Sequence, residues 1–256
     1  MKVLKGQVAA EVLLTLKRGE SVLLSLGIPV VALVVFSKVH VLSTGSGRSV
    51  DFLVPGIISL AIMSSALVNL AIATGFERYY SILKRLGFTP LGRTRLVLAK
   101  IITLFVLELI QVVTLVVVAL AIGWHLNYKS AHGSPGPLVV DLAVVTLAVL
   151  VSTAAFASLA LFISGTMSAF FILGFANVLW FVLLLLSGIL YPLSKLPHAL
   201  GVVVKLLPST ALGQILRHYL DYPHLRHLSP VEPWTVLIFW SILGIYLASR
   251  YFRWDS

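Results

Sequence analysis

Apolar residues fall into six long blocks, at 21–38, 52–75, 96–124, 138–164, 168–191 and 234–250, separated by short polar or basic stretches. Each block approaches or exceeds the roughly 20 residues that an α-helix needs to cross a hydrocarbon core. The first is short and contains Pro29, which a membrane helix accommodates as a kink. Ahead of them, Leu4, Val8, Val12 and Leu16 recur every fourth residue, with Lys2, Lys5, Lys17 and Arg18 around them. That spacing predicts an amphipathic helix over 1–20, lying in the headgroup plane. Only residues 165–167 separate the fourth block from the fifth, which predicts a tight hairpin.

The segment 191–233 breaks the rhythm. Its apolar piece at 196–207 is too short to span and is bracketed by Pro197 and Pro208. Ser209 is a predicted N-cap for a second short helix, with Leu212, Ile215, Leu216 and Tyr219 on one face. Two short helices before a last span predict a re-entrant hairpin, or else a helical cap resting on the outer surface. The segment 125–137, rich in Gly, Pro and Ser, reads as an external turn.

Composition narrows the class further. Of 256 residues, 59% are hydrophobic and 11% charged, which excludes an ordinary soluble domain. There is no cysteine, hence no disulfide framework and no thiolate metal site. The net charge of +10 follows the positive-inside rule and contact with anionic lipid rather than nucleic acid. With the N-terminus inside, twelve Lys and Arg fall on the cytoplasmic side and seven outside, so both termini are expected in the cytoplasm. Residues 1–20 lack a signal-peptide core and cleavage site, so the first span is expected to stay in the mature protein. Trp124, Tyr128, Tyr191, Trp234 and Trp254 sit at predicted span ends, as an aromatic belt requires.

The compact basic loop after the second block carries the most information. Over 77–86, Tyr79, Ile82, Leu83 and Leu86 fall at i, i+3, i+4 and i+7 and form one apolar face. Arg78, Ser81 and Arg85 lie on another, beside Glu77 and Lys84; Gly87 stops the helix and Pro90 prevents its continuation. Anchoring a loop on the inner side needs charge alone. This amphipathic order adds a surface for a partner protein. There is no Gly-x-x-x-x-Gly-Lys-Ser/Thr phosphate loop, so any ATP-derived force must enter from another polypeptide.

The residues Glu77-Arg78, Leu83-Lys84-Arg85-Leu86, Thr89-Pro90-Leu91 and Ala99-Lys100 resemble the cytoplasmic signature of ABC-2 type permeases, the membrane subunits of type V ATP-binding-cassette exporters. Leu186-Ser187-Gly188-Ile189-Leu190-Tyr191-Pro192, Leu196-Pro197 and Leu207-Pro208-Ser209-Thr210 with Arg217 resemble that family's external signature. The resemblance implies an all-α fold of six transmembrane helices with an N-terminal elbow helix. It implies a coupling helix at 77–86, with Glu77, Arg78, Tyr79, Lys84 and Arg85 seated in the ATPase. It also implies extracellular re-entrant helices at 191–220, with Tyr191, Pro192, Pro197, Pro208 and Arg217 shaping the exit. Two ATPase subunits, which hold the ATP and Mg, would pair with two permease subunits in a homo- or heterodimer in the cell membrane. This chain itself would bind no cofactor.

Polar groups inside the blocks are the remaining candidates. Glu108 and Gln111 lie three residues apart on nearly one face, either lining a path or pairing between helices. Asn69 and Asn177 read as interhelical hydrogen-bonding groups and as candidates for the same path. Phe171, Gly174, Phe175 and Val178 share a face that would suit an apolar substrate or simply pack against lipid. Ala154 and Ser158 form a small-x-x-x-small pair suited to close helix packing. His224 and His227 lack a carboxylate shell or helical ligand spacing, so no metal site is expected. The expected activity is export of a hydrophobic drug or lipid-like molecule, with a lipid-linked glycan as the alternative cargo. A membrane-embedded enzyme or a passive channel are the rivals from other classes; no nucleophile–base pair supports the enzyme.

Overall fold

The computed structural model describes residues 2–17, 19–38, 49–87, 92–124, 136–188, 197–220 and 231–253. These residues are helical almost throughout and include no strand. The order is α1 (Lys2–Lys17), α2 (Gly19–Lys38), α3 (Ser49–Met63), a π-helical segment (Ser64–Asn69), α4 (Leu70–Tyr79), α5 (Ile82–Gly87) and α6 (Gly92–Ala121). Then follow α7 (Gly136–Thr166), α8 (Ala169–Leu186), α9 (His198–Lys205), α10 (Pro208–Tyr219) and α11 (Val231–Tyr251).

Among the described residues, five stretches are long and apolar enough to cross a membrane: Val50–Tyr79, Arg95–Ala121, Val139–Thr166, Ala169–Leu186 and Val231–Tyr251. The remaining expected block, the first in the chain, falls on α2 and holds a shorter apolar stretch at Ser25–Ser37 with Pro29 inside it. Many large apolar side chains on α6, α7, α8 and α11 stay exposed, among them Val113, Val139, Phe170, Val178 and Ile242. Exposed hydrocarbon of that extent suits lipid as solvent.

The helix at Val50–Tyr79 is the central post. Nearly every side chain of 52–63 is buried, and α2, α6, α7 and α10 pack around α3. The tightest pairing joins α7 to α11. A Cβ on Gly244 would lie 2.2 Å from Ser158 Oγ, so only glycine permits this approach. Ser241 Oγ donates to Val151 O (3.1 Å) across the same seam. The small pair Ala154 and Ser158 lies on α7, and Ser158 is the member that meets α11.

Two local boundaries differ from expectation. The second span does not end near residue 75 but runs to Tyr79, and a turn at Tyr80 and Ser81 separates it from α5. Ser81 has φ 58°, a left-handed conformation that ends a helix at a cost of roughly 1–2 kcal/mol. Tyr79 and Ile82 therefore do not share a helix face: both are exposed, while Leu83 is buried. The side chain of Leu86 lies outside the description, as do Thr89, Pro90 and Leu91. At the other end of the chain, Ser209 sits inside α10 rather than capping it. Leu207 takes the cap position and Pro208 the first turn, where proline's missing N–H costs nothing.

Candidate functional site

Residues 77–87, 92–100, 165–168 and 250–253 gather at one end of the bundle, here called the lower end. Glu77 and Lys100 form an ion pair, with Lys100 Nζ 2.8 Å from Oε1 and 2.7 Å from Oε2. The Arg78 guanidinium donates to Met167 O in the α7–α8 hairpin. Both groups are largely withdrawn from the surface, Arg78 at 9% exposure. Of the expected coupling residues, Glu77 and Arg78 are thus internal anchors that tie α4 to α6 and to the hairpin.

The outward surface belongs to other side chains. Tyr79, Tyr80, Ile82, Lys84 and Arg85 are exposed. Tyr79 packs edge-on against Tyr80 (centroids 5.1 Å) and against Phe170 (5.4 Å). Phe76 also meets Phe170 at 5.7 Å. An aromatic and basic patch therefore stands on a base pinned at Glu77, Arg78 and Leu83. Tyr80, which the sequence did not single out, is more exposed than Tyr79, at 60% against 50%.

A second candidate surface lies midway along the bundle, where α4 and the π segment run antiparallel to α8. A Cβ on Gly75 would meet Ile172 Cδ1 at 2.7 Å, which fixes the relative height of the two helices. From that level, Asn69 lies six residues back and Asn177 five residues forward, about 9 and 7.5 Å at an α-helical rise. The two amides therefore reach nearly the same depth, and both are exposed. Asn177 Nδ2 donates to Leu173 O of its own helix (2.6 Å), and no hydrogen bond of its amide to another helix occurs among the described residues. Phe171 and Phe175 stack nearby on α8 with centroids 5.7 Å apart.

Glu108 and Gln111 are elsewhere. Both are buried inside the bundle, Glu108 completely. Thr153 Oγ1 of α7 donates to Glu108 Oε2, while Glu108 Oε1 has no hydrogen-bond partner among the described residues. Gln111 accepts from Ser65 Oγ of the π segment (3.1 Å) and donates to Ser25 O of α2 (2.6 Å). These contacts join α2, α6, α7 and the π segment, so the pair sits among helix-to-helix links rather than on an exposed face.

At the upper end, α10 packs on α3, α7 and α11, with Leu212, Ile215 and Leu216 fully buried. Arg217 is 3% exposed, and its guanidinium carbon lies 4.0 Å from the centre of the Phe52 ring, a cation–π contact. Pro197 precedes α9 and Pro208 opens α10, whereas Tyr191 and Pro192 lie outside the described residues. The histidine pair 224 and 227 also lies outside them. No group of three or more possible metal ligands occurs among the described residues.

Residues 6–220 match the family described as ABC-2 type transporter. No curated protein matches the chain.

Proposed function

Because the chain belongs to the ABC-2 type transporter family and is the transmembrane permease component of an ABC transporter, we propose that it is the six-span subunit of an exporter for a hydrophobic or lipid-like molecule. In this reading α2 is the first of the six spans and α1 the elbow helix. The lower end is cytoplasmic, since it carries Arg78, Lys84, Arg85, Arg95, Lys100, Arg250 and Arg253. Two ATPase subunits, holding ATP and Mg, act on two permease subunits in the cell membrane.

The observation that carries the reading is the patch of Tyr79, Tyr80, Ile82, Lys84 and Arg85. Aromatic and arginine side chains are the usual anchors of protein interfaces. Here they stand exposed on a turn whose base is fixed to three helices. A mere membrane anchor needs the charges but not the pinned base. The ATPase takes hold of this patch, and nucleotide-driven closure moves α4 and α5 together.

The path follows from the equal-depth amides. Polar side chains exposed in hydrocarbon are costly, so a face carrying Asn69 and Asn177 turns toward a second copy or toward cargo. Phe171 and Phe175 give that face its apolar character. The α9 and α10 pair stands at the exit.

The test is capture of the partner ATPase by the detergent-solubilised chain, with Tyr80→Ala/Arg85→Glu beside wild type. Wild type retains the ATPase, and the variant loses it by about tenfold or more, as loss of interface anchors predicts. Failure of the wild type to retain any ATPase, in detergent and in nanodiscs, would overturn the proposal.

A further inference from the structure

The coupling proposed for α5 leaves open how its movement reaches the rest of the bundle. Leu83 is buried, yet it does not belong to the main core. It forms a separate small cluster with Leu96 at the start of α6. Phe252, one residue beyond α11, packs against that cluster and also against the main core.

Phe252 is held closely on its far side. A Cβ on Gly165 would lie 2.6 Å from Phe252 Cδ2 and 2.8 Å from its Cα. The second distance is to backbone, so the ring cannot simply swing away. Arg253 N–H donates to Gly165 O (3.3 Å), and Phe252 N–H continues the helical pattern to Ala248 O (3.0 Å). The residue before it, Tyr251, meets Phe162 of α7 edge-on at 6.2 Å. The end of α11 is thus clasped to the end of α7, with Phe252 between that clasp and the Leu83–Leu96 cluster.

Beyond the clasp, α7 and α11 form one stiff unit. Ser158 against Gly244 and Ser241 against Val151 O leave no room for one helix to slide past the other. At the upper end, the same unit carries α10. A displacement of α5 therefore has a continuous packed route to the exit side: the Leu83–Leu96 cluster, Phe252, the α7–α11 pair, α10.

We infer that Phe252 is the positioning residue that passes movement of α5 to the α7–α11 pair, and through it to α10. This rests on the coupling role proposed for α5. It predicts that removing the ring uncouples the two ends without removing the ATPase from its docking patch, which Phe252 is not part of.

The chain's lack of cysteine makes the test direct. Spin labels on Leu120→Cys (end of α6) and His218→Cys (α10) report an upper-end distance in nanodiscs, with the partner ATPase bound. ATP with vanadate shifts that distance in the otherwise wild-type protein. In Phe252→Ala the shift falls about fivefold or more, while ATPase capture and basal hydrolysis stay within about twofold, as expected for a broken link between two elements. Gly165→Ala, which displaces the ring, reproduces the loss. Phe252→Leu, which keeps an apolar side chain, restores part of the shift and guards against a folding defect in the alanine variants. A full shift in folded Phe252→Ala and Gly165→Ala, with the ATPase bound, overturns this inference and leaves the proposed function standing. Failure of the wild type to capture the ATPase overturns both.

Discussion

Two short helices, α5 and α10, lie at opposite ends of the bundle and differ in what surrounds them. Nine of the twelve residues of α10 are buried, among them Arg217, and it packs on α3, α7 and α11. On α5 only Leu83 is buried among residues 82–85, and Ile82, Lys84 and Arg85 are exposed. The fold completes α10 from within the chain and leaves α5 incomplete. A helix that the protein's own core does not cover owes its position to a few anchors.

The largest expected effect comes from removing the platform of α10. Gly244→Leu drives a branched side chain into Ser158 and separates α11 from α7. No monodisperse protein should emerge on size exclusion, and a folded, stable variant would refute the tight seam. Next is the apolar face of α10. Ile215→Ala should cost on the order of 2–4 kcal/mol, read as a fall in the thermal unfolding midpoint. A change under about 0.5 kcal/mol would place α10 among surface elements instead. On α5, Leu83→Ala should cost less, about 1–2 kcal/mol, since its cluster is small and lies at the rim of the structure. That variant sharpens the comparison, because ATPase stimulation should fall along with stability. Smallest in stability is Tyr80→Ala, within about 0.5 kcal/mol of wild type. Its effect belongs in ATPase capture, so a large drop in melting temperature would show that Tyr80 is structural.

Five of the spans were legible because continuous apolar runs of sufficient length leave few alternatives. The buried face of α10 was legible from its period: Leu212, Ile215 and Leu216 are all at 0% exposure. The start of α10 was misplaced at Ser209 because side-chain capping preference ignores the fixed φ and missing N–H of Pro208. The break at Tyr80 and Ser81 could not be read from periodicity, because 77–86 fits one helix equally well. Tertiary anchors at Met167 and Lys100 hold α4 straight to that point. The exposed patch on this turn was legible in part. Lys84 and Arg85 face outward, but Glu77 and Arg78 turned inward because distant partners satisfy them. Phe252 carried no signal at all: its role depends on Gly165 and Leu83, far away in sequence. The glycines Gly244, inside an apolar run, and Gly165, just past the end of one, were the available hint, since a helix tolerates glycine most readily where another backbone must approach.

The π segment at Ser64–Asn69 acts on the molecule as an angular setting. Each residue of an α-helix turns the chain by about 100°, and the wider i to i+5 loops turn it less. Continued as plain α-helix, 64–69 would leave α4 rotated about its own axis relative to α3. Glu77 would then swing off Lys100 and Arg78 off Met167, while α3 kept every contact with α10. One and a half turns of wide helix therefore set the azimuth at which the lower end presents itself, as the cut of a key sets which pins it meets.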